Sequence, residues 1–350
     1  MFKKKNKNQK RRVAINGFGR IGRAAFKIAI EKSDLEVVAI NDLTDPETLS
    51  YLLKRDTVYG MYHRKVKAGT KKGIKLDDCR GHIEIEGVVY PILSQKEPEK
   101  LPWKELKVDI VIESTGFFTK HKDAKKHLKA GAKKVVISAP SKDDQTQTHI
   151  LSVNTNDGIK EDIVSNASCT TNSLSPAITI INNAFGVQKA MMTTIHSYTA
   201  DQNIVDGPHR DLRRARAAAQ NIIPTTTGAA VATTKTIPEL GKKFDGIAIR
   251  VPTIVGSISD ITMLIKKDAT VEEVNDAFRE ASSKSPFKGI VDVTDEPIVS
   301  SDIIGNSHSA IIDLSFTRVV DKNLLKVLAW YDNEWGYANR LVEMVQILIV

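Results

Sequence analysis

The chain has 350 residues, 41% of them apolar and 27% charged, and a formal net charge of +9. That length calls for two domains, and that composition excludes a disordered chain. No apolar run reaches the about 18–20 residues of a membrane span, and two cysteines so far apart as Cys79 and Cys169 form neither a disulfide framework nor a zinc site.

The charge is uneven. Residues 1–12, MFKKKNKNQKRR, hold five lysines, two arginines and no acid, which leaves +2 for the other 338 residues. The stretch reads as a solvated, disordered tail over 1–11, and it lacks the apolar core of a secretory signal. With so few cysteines the expectation is a reducing, cytoplasmic setting. A protein that binds nucleic acid or a membrane surface through the tail is the alternative from another class, and it rests on bulk charge alone.

RVAIN at 12–16 reads as a buried strand, and GFGRIG follows with Gly17, Gly19 and Gly22. RAAFKIAIE has a helical apolar rhythm over 23–31, and LEVVAIND is a second strand ending at Asp42, twenty residues after Gly22. Strand, glycine turn, helix, strand, acid is the full context of a dinucleotide site. Glycine lets the backbone turn and approach a pyrophosphate, and the N–H groups of Arg20 and Ile21 open the helix toward it. A carboxylate at Asp42 accepts from ribose hydroxyls and repels a 2′-phosphate, so NAD is expected over NADP; the other reading of Asp42 is a cap for the helix at Asp45-Pro46.

Residues 62–92 read as a hairpin insertion, and VDIVIE at 108–113 and KVVIS at 134–138 as further strands. The lysine-rich helix between them, with Ala124, Leu128 and Ala132 on one side, reads as a solvated amphipathic face. These βα repeats, to about residue 168, predict a doubly wound parallel sheet. From about 186 alternating strands dominate, predicting an α+β second domain with an antiparallel sheet. The segment from 206 to 230 shows little strand signal.

Cys169, in SNASCTTNS, opens a helical pattern running to about Phe185, with Pro176 expected to kink it. Helix N–H groups and the dipole stabilise a thiolate there and lower its pKa. His196, twenty-seven residues on in TTIHSYT, is a candidate partner for a thiolate–imidazolium pair. The other seven histidines, His127 among them, are expected as surface or satisfied polar groups, and Cys79 as non-functional. No ligand spacing points to a metal.

INGFGRIGR, ISAPSKDD, SNASCTTN, HSYT, DLRRARAAAQNIIPTTTGAA, RVPT and WYDNEWGYANRLV, in order from residue 12 to about 345, closely resemble phosphorylating glyceraldehyde-3-phosphate dehydrogenases. The resemblance implies a Rossmann NAD-binding domain over 12–168, an α+β catalytic domain over 169–333, and a C-terminal helix, 334–350, packing back on the first domain. It implies Cys169 as nucleophile and His196 as base, with the aldehyde oxidised through a thioester that inorganic phosphate cleaves. Thr199 and Arg250, the latter positioned by Asp201, match the substrate-phosphate site; Ser168, Thr170, Thr227, Gly228 and Arg214 match the inorganic-phosphate site. Thr115, Gly116, Ser138, Asn333 and Tyr337 match further cofactor contacts, whereas Lys96 stands where many members carry arginine. A homotetramer is implied, with 203–228 reaching a neighbour's cofactor site, and no nucleic acid or membrane is required. The nearest rival enzyme is an erythrose-4-phosphate dehydrogenase working by thioester hydrolysis.

Overall fold

The computed structural model describes residues 10–348. The tail expected over 1–11 lies mostly outside these residues, but Arg11 and Arg12 belong to the first strand. Arg12 donates to the Leu106 carbonyl and pairs with Glu36, so these two charges are fixed on the folded body.

The chain forms two compact units. One takes in the chain up to Gln147, Gly158–Asn166 and the chain from Leu341 onward; the other is Thr148–Asp157 and Ala167–Arg340. Residues 148–157, expected with the first domain, fall in the second unit because Ile150 packs with Ala167 and Ala232. The last helix also divides. Arg340 donates to the Gly289 carbonyl inside the second unit, whereas Val345 accepts from Arg11 inside the first.

In the first unit the elements are β1 (Arg11–Asn16), α1 (Arg20–Ala29), β2 (Leu35–Asn41), α2 (Pro46–Lys54) and the short pair β3 (Arg55–Asp56) and β4 (Gly60–Met61). They continue as β5 (Val66–Thr70), β6 (Cys79–Ile85), β7 (Val88–Leu93), β8 (Ile110–Glu113), α3 (His121–Lys129), β9 (Lys134–Ile137), β10 (Gln147–Thr148) and β11 (Ile163–Ser165). The sheet order is β10-β11-β9-β8-β1-β2-β7-β6-β5. From β11 to β7 neighbours run parallel, the doubly wound Rossmann arrangement. The expected hairpin forms as β6 and β7 and is part of this sheet: β7 pairs parallel with β2, and β6 and β5 continue it antiparallel.

Runs such as Val13-Ala14-Ile15 and Ile110-Val111-Ile112 are fully buried, as strands covered on both faces must be. Asp45 caps α2 by accepting from the Thr48 N–H at 2.7 Å. Asp42 therefore does not cap that helix. On α3 the lysines face solvent while Ala124 and His127 are buried.

The second unit holds α4 (Cys169–Phe185), β12 (Val187–Ser197), β13 (Ile223–Thr226), α5 (Ala229–Thr236), β14 (Phe244–Val251), β15 (Ser257–Ile265), α6 (Val271–Ser283), β16 (Val291–Thr294), β17 (Ala310–Val320), β18 (Leu324–Tyr331) and the start of α7 (Trp335–Ile347). Its sheet order is β13-β14-β12-β15-β18-β17-β16. The sheet is mixed: most pairs are antiparallel, but β12 and β14 are parallel, as are β16 and β17. In the segment expected to show little strand, 206–222 holds neither strand nor helix, and the short β13 and the start of α5 follow.

Candidate active site

In the first unit three turns follow directly on three parallel strands. Gly17 leaves β1 at φ +92°, a left-handed region that favours glycine, and a Cβ there would sit 2.7 Å from the Ser114 carbonyl carbon. A Cβ on Gly22 would stand 2.1 Å from the Gly17 oxygen, so helix and turn meet only because the side chain is absent. Gly19 is the N-cap of α1, with open space where a Cβ would stand and no side-chain cap. Gly19 thus places no side chain over the start of α1, where the N–H groups of Arg20 and Ile21 open the helix. The Arg20 guanidinium turns away to pair with Asp56 at 3.1 Å.

Asp42 follows β2 and accepts from the Phe18 N–H at 2.8 Å and the Thr44 N–H at 2.9 Å. A carboxylate has about four acceptor sites, so each oxygen keeps capacity for a hydroxyl. After β8, Thr115 gives its N–H to Glu113 at 2.8 Å, and its hydroxyl is bonded to the same carboxylate. Gly116 follows at φ +77°, and Ser138 N–H donates to the Glu113 carbonyl. A glycine-lined helix start beside a half-exposed carboxylate fits a dinucleotide: the turn for its pyrophosphate, Asp42 for a ribose.

In the second unit Ala167 takes a left-handed φ of 52° just before Ser168, the N-cap of α4. The Ser168 hydroxyl accepts from the Thr171 N–H at 3.2 Å and reaches the Thr171 hydroxyl at 2.9 Å. Cys169 is the first residue of the helix, which runs on through Pro176. Its Sγ lies 3.4 Å from His196 Nε2. His196 comes from β12, and the register pairs it with Arg250 on β14.

His196 Nδ1 is 2.7 Å from the Ser197 carbonyl and 3.0 Å from the Arg250 guanidinium, which itself donates to that carbonyl at 2.9 Å. The shorter contact gives the Nδ1 proton to the carbonyl, so Nε2 faces the sulfur with a lone pair. Burial and then the Arg250 charge push His196 down to about 3. Burial pushes the Cys169 thiol up, against the pull of Arg250, the Thr170 hydroxyl and the N–H groups of residues 169 and 170. The low thiol pKa expected from the helix terminus is thus overridden by desolvation. Both groups are thus held toward their neutral forms, the thiol facing the imidazole at 3.4 Å.

Family models for the glyceraldehyde 3-phosphate dehydrogenase NAD binding domain and C-terminal domain match residues 11–121 and 168–333. Glyceraldehyde-3-phosphate dehydrogenases of Streptomyces coelicolor and Borreliella burgdorferi are each 49% identical to the chain. The first alignment covers 95% of this chain and 97% of the relative, the second 97% and 99%. The chain belongs to the glyceraldehyde-3-phosphate dehydrogenase family. It is an NAD-dependent oxidoreductase of that family, with NAD as its cofactor.

Among glyceraldehyde-3-phosphate dehydrogenase positions, one expected contact is replaced. Asp201 does not bond Arg250; it is ion-paired with Arg214, which also donates to the Thr225 hydroxyl and the Thr226 carbonyl, both at 3.0 Å. Arg250 is fixed instead by the Ser197 carbonyl, with Thr199 Oγ1 at 3.5 Å. Thr227 accepts from the Ala229 N–H, and Gly228 is the N-cap of α5. The Thr170 hydroxyl is buried against the Tyr331 hydroxyl at 3.0 Å. Tyr337 gives its hydroxyl to the Ala167 carbonyl at 3.0 Å, bracing the turn before the cysteine instead of offering that group to a ligand. Asn333 Oδ1 accepts from the Ser197 and Ser257 hydroxyls and the Gly256 N–H. An amide whose oxygen is so occupied recognises a ligand through its N–H₂.

Tyr331 is the residue the sequence reading missed. Its hydroxyl joins Thr170 of α4 to Thr194 of β12 at 3.0 and 2.7 Å, and its ring meets His196 edge-on. It therefore ties together the two elements that carry the nucleophile and the base. Its position two residues before Asn333, inside the WYDNE motif, was the available signal.

Proposed function

We propose that the chain oxidises glyceraldehyde 3-phosphate to 1,3-bisphosphoglycerate, through a thioester on Cys169, as a step of glycolysis and gluconeogenesis. The observation that carries this reading is a thiol at a helix N-terminus 3.4 Å from an imidazole whose far side touches a guanidinium. Cys169 Sγ attacks the aldehyde carbon as its proton passes to His196 Nε2. The hemithioacetal that forms keeps its alkoxide near the N–H groups of residues 169 and 170 at the start of α4. Arg250 and Thr199 hold the phosphate that the substrate carries. His196 hands the thiol proton to that alkoxide, then takes it back as base while the carbon loses hydride and is left as a thioester. NAD, when bound, supplies the hydride acceptor.

Inorganic phosphate, held by Arg214, Ser168, Thr170, Thr227 and the helix start at Gly228, attacks the thioester carbonyl. Cys169 leaves as thiolate and regains its proton from His196, releasing the acyl phosphate. Asp42, the 17–22 turn, Thr115–Gly116, Ser138 and the Asn333 amide serve the cofactor, with the Tyr337 ring as support. The working form is a cytoplasmic homotetramer. NADH formation by the purified protein, with glyceraldehyde 3-phosphate or erythrose 4-phosphate and with or without phosphate, tests the reading. Phosphate-dependent turnover of the triose is the expected result; turnover indifferent to phosphate would falsify it.

A further inference from the structure

The strand ends that carry the cofactor turns share one buried polar network. β1 ends at Asn16, β2 at Asn41 and β8 at Glu113, just before Gly17, Asp42 and the 114–116 turn. Beneath them lie His127 of α3 and Trp103, both fully buried, with Glu113 only 1% exposed.

The Trp103 indole N–H donates to His127 Nδ1 at 3.0 Å. Indole can only donate, so Nδ1 accepts and the ring proton sits on Nε2, which donates to Glu113 Oε2 at 3.0 Å. The same oxygen accepts from Asn16 Nδ2 at 2.6 Å. Asn16 Oδ1 accepts from Asn41 Nδ2 at 2.7 Å, and Asn41 Oδ1 accepts from the Gln95 N–H at 2.9 Å. The other Glu113 oxygen takes the Thr115 N–H and hydroxyl. Phe118, just past that turn, lies edge-on to the His127 ring.

A carboxylate this deep is costly unless donors surround it, and apolar residues of similar volume often serve stability as well or better. Here its donors come from Asn16 of β1, His127 of α3 and Thr115 of the turn itself, and Asn41 of β2 joins them through Asn16. We propose that Glu113, held by His127 and Trp103, is the positioning residue of the dinucleotide site. It fixes the 114–116 turn and, through Asn16 and Asn41, its register against the Gly17 and Asp42 turns.

The inference rests on the reading that these turns hold NAD. The test is calorimetric titration of the full-length protein with NAD, with steady-state assays and thermal unfolding alongside. Trp103→Phe keeps ring bulk and removes the donor to Nδ1; His127→Leu removes the link to Glu113; His127→Gln puts an amide N–H near the place of Nε2. The expected Kd for NAD rises about tenfold in His127→Leu and about threefold in Trp103→Phe, the worth of one to two buried hydrogen bonds. His127→Gln recovers most of the affinity, and kcat and the aldehyde KM stay within about twofold of the parent. An unchanged Kd in Trp103→Phe overturns the proposal, whatever its unfolding temperature and whether or not His127→Leu folds. Asp42→Ala separates the two readings. If it too leaves NAD binding unchanged, the site itself is misplaced; if it alone weakens binding, only the network fails.

Discussion

The cofactor turns of the first unit and the cysteine–histidine cluster of the second are built on opposite principles. The turns are backbone devices: positive φ at Gly17, a missing Cβ at Gly22, an uncapped helix start at Gly19. The cluster is made of side chains that converge from α4, β12 and β14, and its chemistry comes from burial and from one guanidinium beside the imidazole. A backbone device tolerates changes around it but not within it. A side-chain cluster can lose one member and keep its fold. The sharpest break of the comparison is therefore Cys169→Ser. Turnover should fall about 10⁴-fold or more, because a hydroxyl in this setting is a far weaker nucleophile. The Kd for NAD should stay within about twofold; a large loss of NAD binding would show that the two sites are not separable.

Gly22→Ala is the counterpart in the first unit. Its Cβ would enter the space of the Gly17 oxygen, 2.1 Å away, and backbone cannot swing aside as a flexible side chain does. The expected cost is about 2 kcal/mol of stability, read by denaturant unfolding, with NAD affinity down about tenfold or more. Gly19→Ala makes the control, since nothing lies within 4 Å of its Cβ. Equal losses in the two variants would mean that backbone freedom, and not the close approach, sets the site.

The guanidinium sharpens the contrast from the other side. Arg250 opposes a proton on His196 and favours thiolate at Cys169, in each case second to burial. Removing its positive charge makes every deprotonation of the pair harder. In Arg250→Gln the rate of Cys169 alkylation should therefore rise only at higher pH than in the parent. The profile is measured without substrate, so loss of phosphate binding does not enter. A profile that stays in place, or moves down, would remove Arg250 from the electrostatics of the pair. The KM for the aldehyde should also rise, by about 10- to 100-fold, because a desolvated charge-assisted contact is lost.

The same contrast governs what was legible in the sequence. Gly17, Gly19, Gly22 and Asp42 could be read because their geometry is local: a few residues fix the turn, and the spacing of strand and helix fixes the rest. The doubly wound order followed from the βα repeats for the same reason. Cys169 at a helix start was legible from Ser168 and the apolar pattern after it, but not the sign of its pKa shift, since desolvation depends on what packs around it. Arg250 beside His196 depends on the parallel register of β12 and β14, fifty-four residues apart along the chain. The antiparallel look of the second half gave no hint of that pairing. His127 sat among lysines and read as an ordinary polar group; only the fold puts it between Trp103 and Glu113.

Asp201 carries the finest test. Its carboxylate, about half exposed, is paired with Arg214, which Thr225, the Thr226 carbonyl and Asp211 also hold. With those contacts in place Arg214 should keep its pose without Asp201. The carboxylate then acts mainly as a negative charge that competes with phosphate for the same guanidinium. Asp201→Asn should lower the KM for inorganic phosphate about two- to threefold and leave kcat within about twofold, the scale of a half-exposed ion pair. Added salt should shrink the difference, because an exposed charge is screened within about 10 Å at 0.1 M. A rise in the phosphate KM of similar size, insensitive to salt, would reverse the assignment. Asp201 would then hold Arg214 in its binding pose, and the second unit would share the trait of the first, a site that depends on what fixes it from behind.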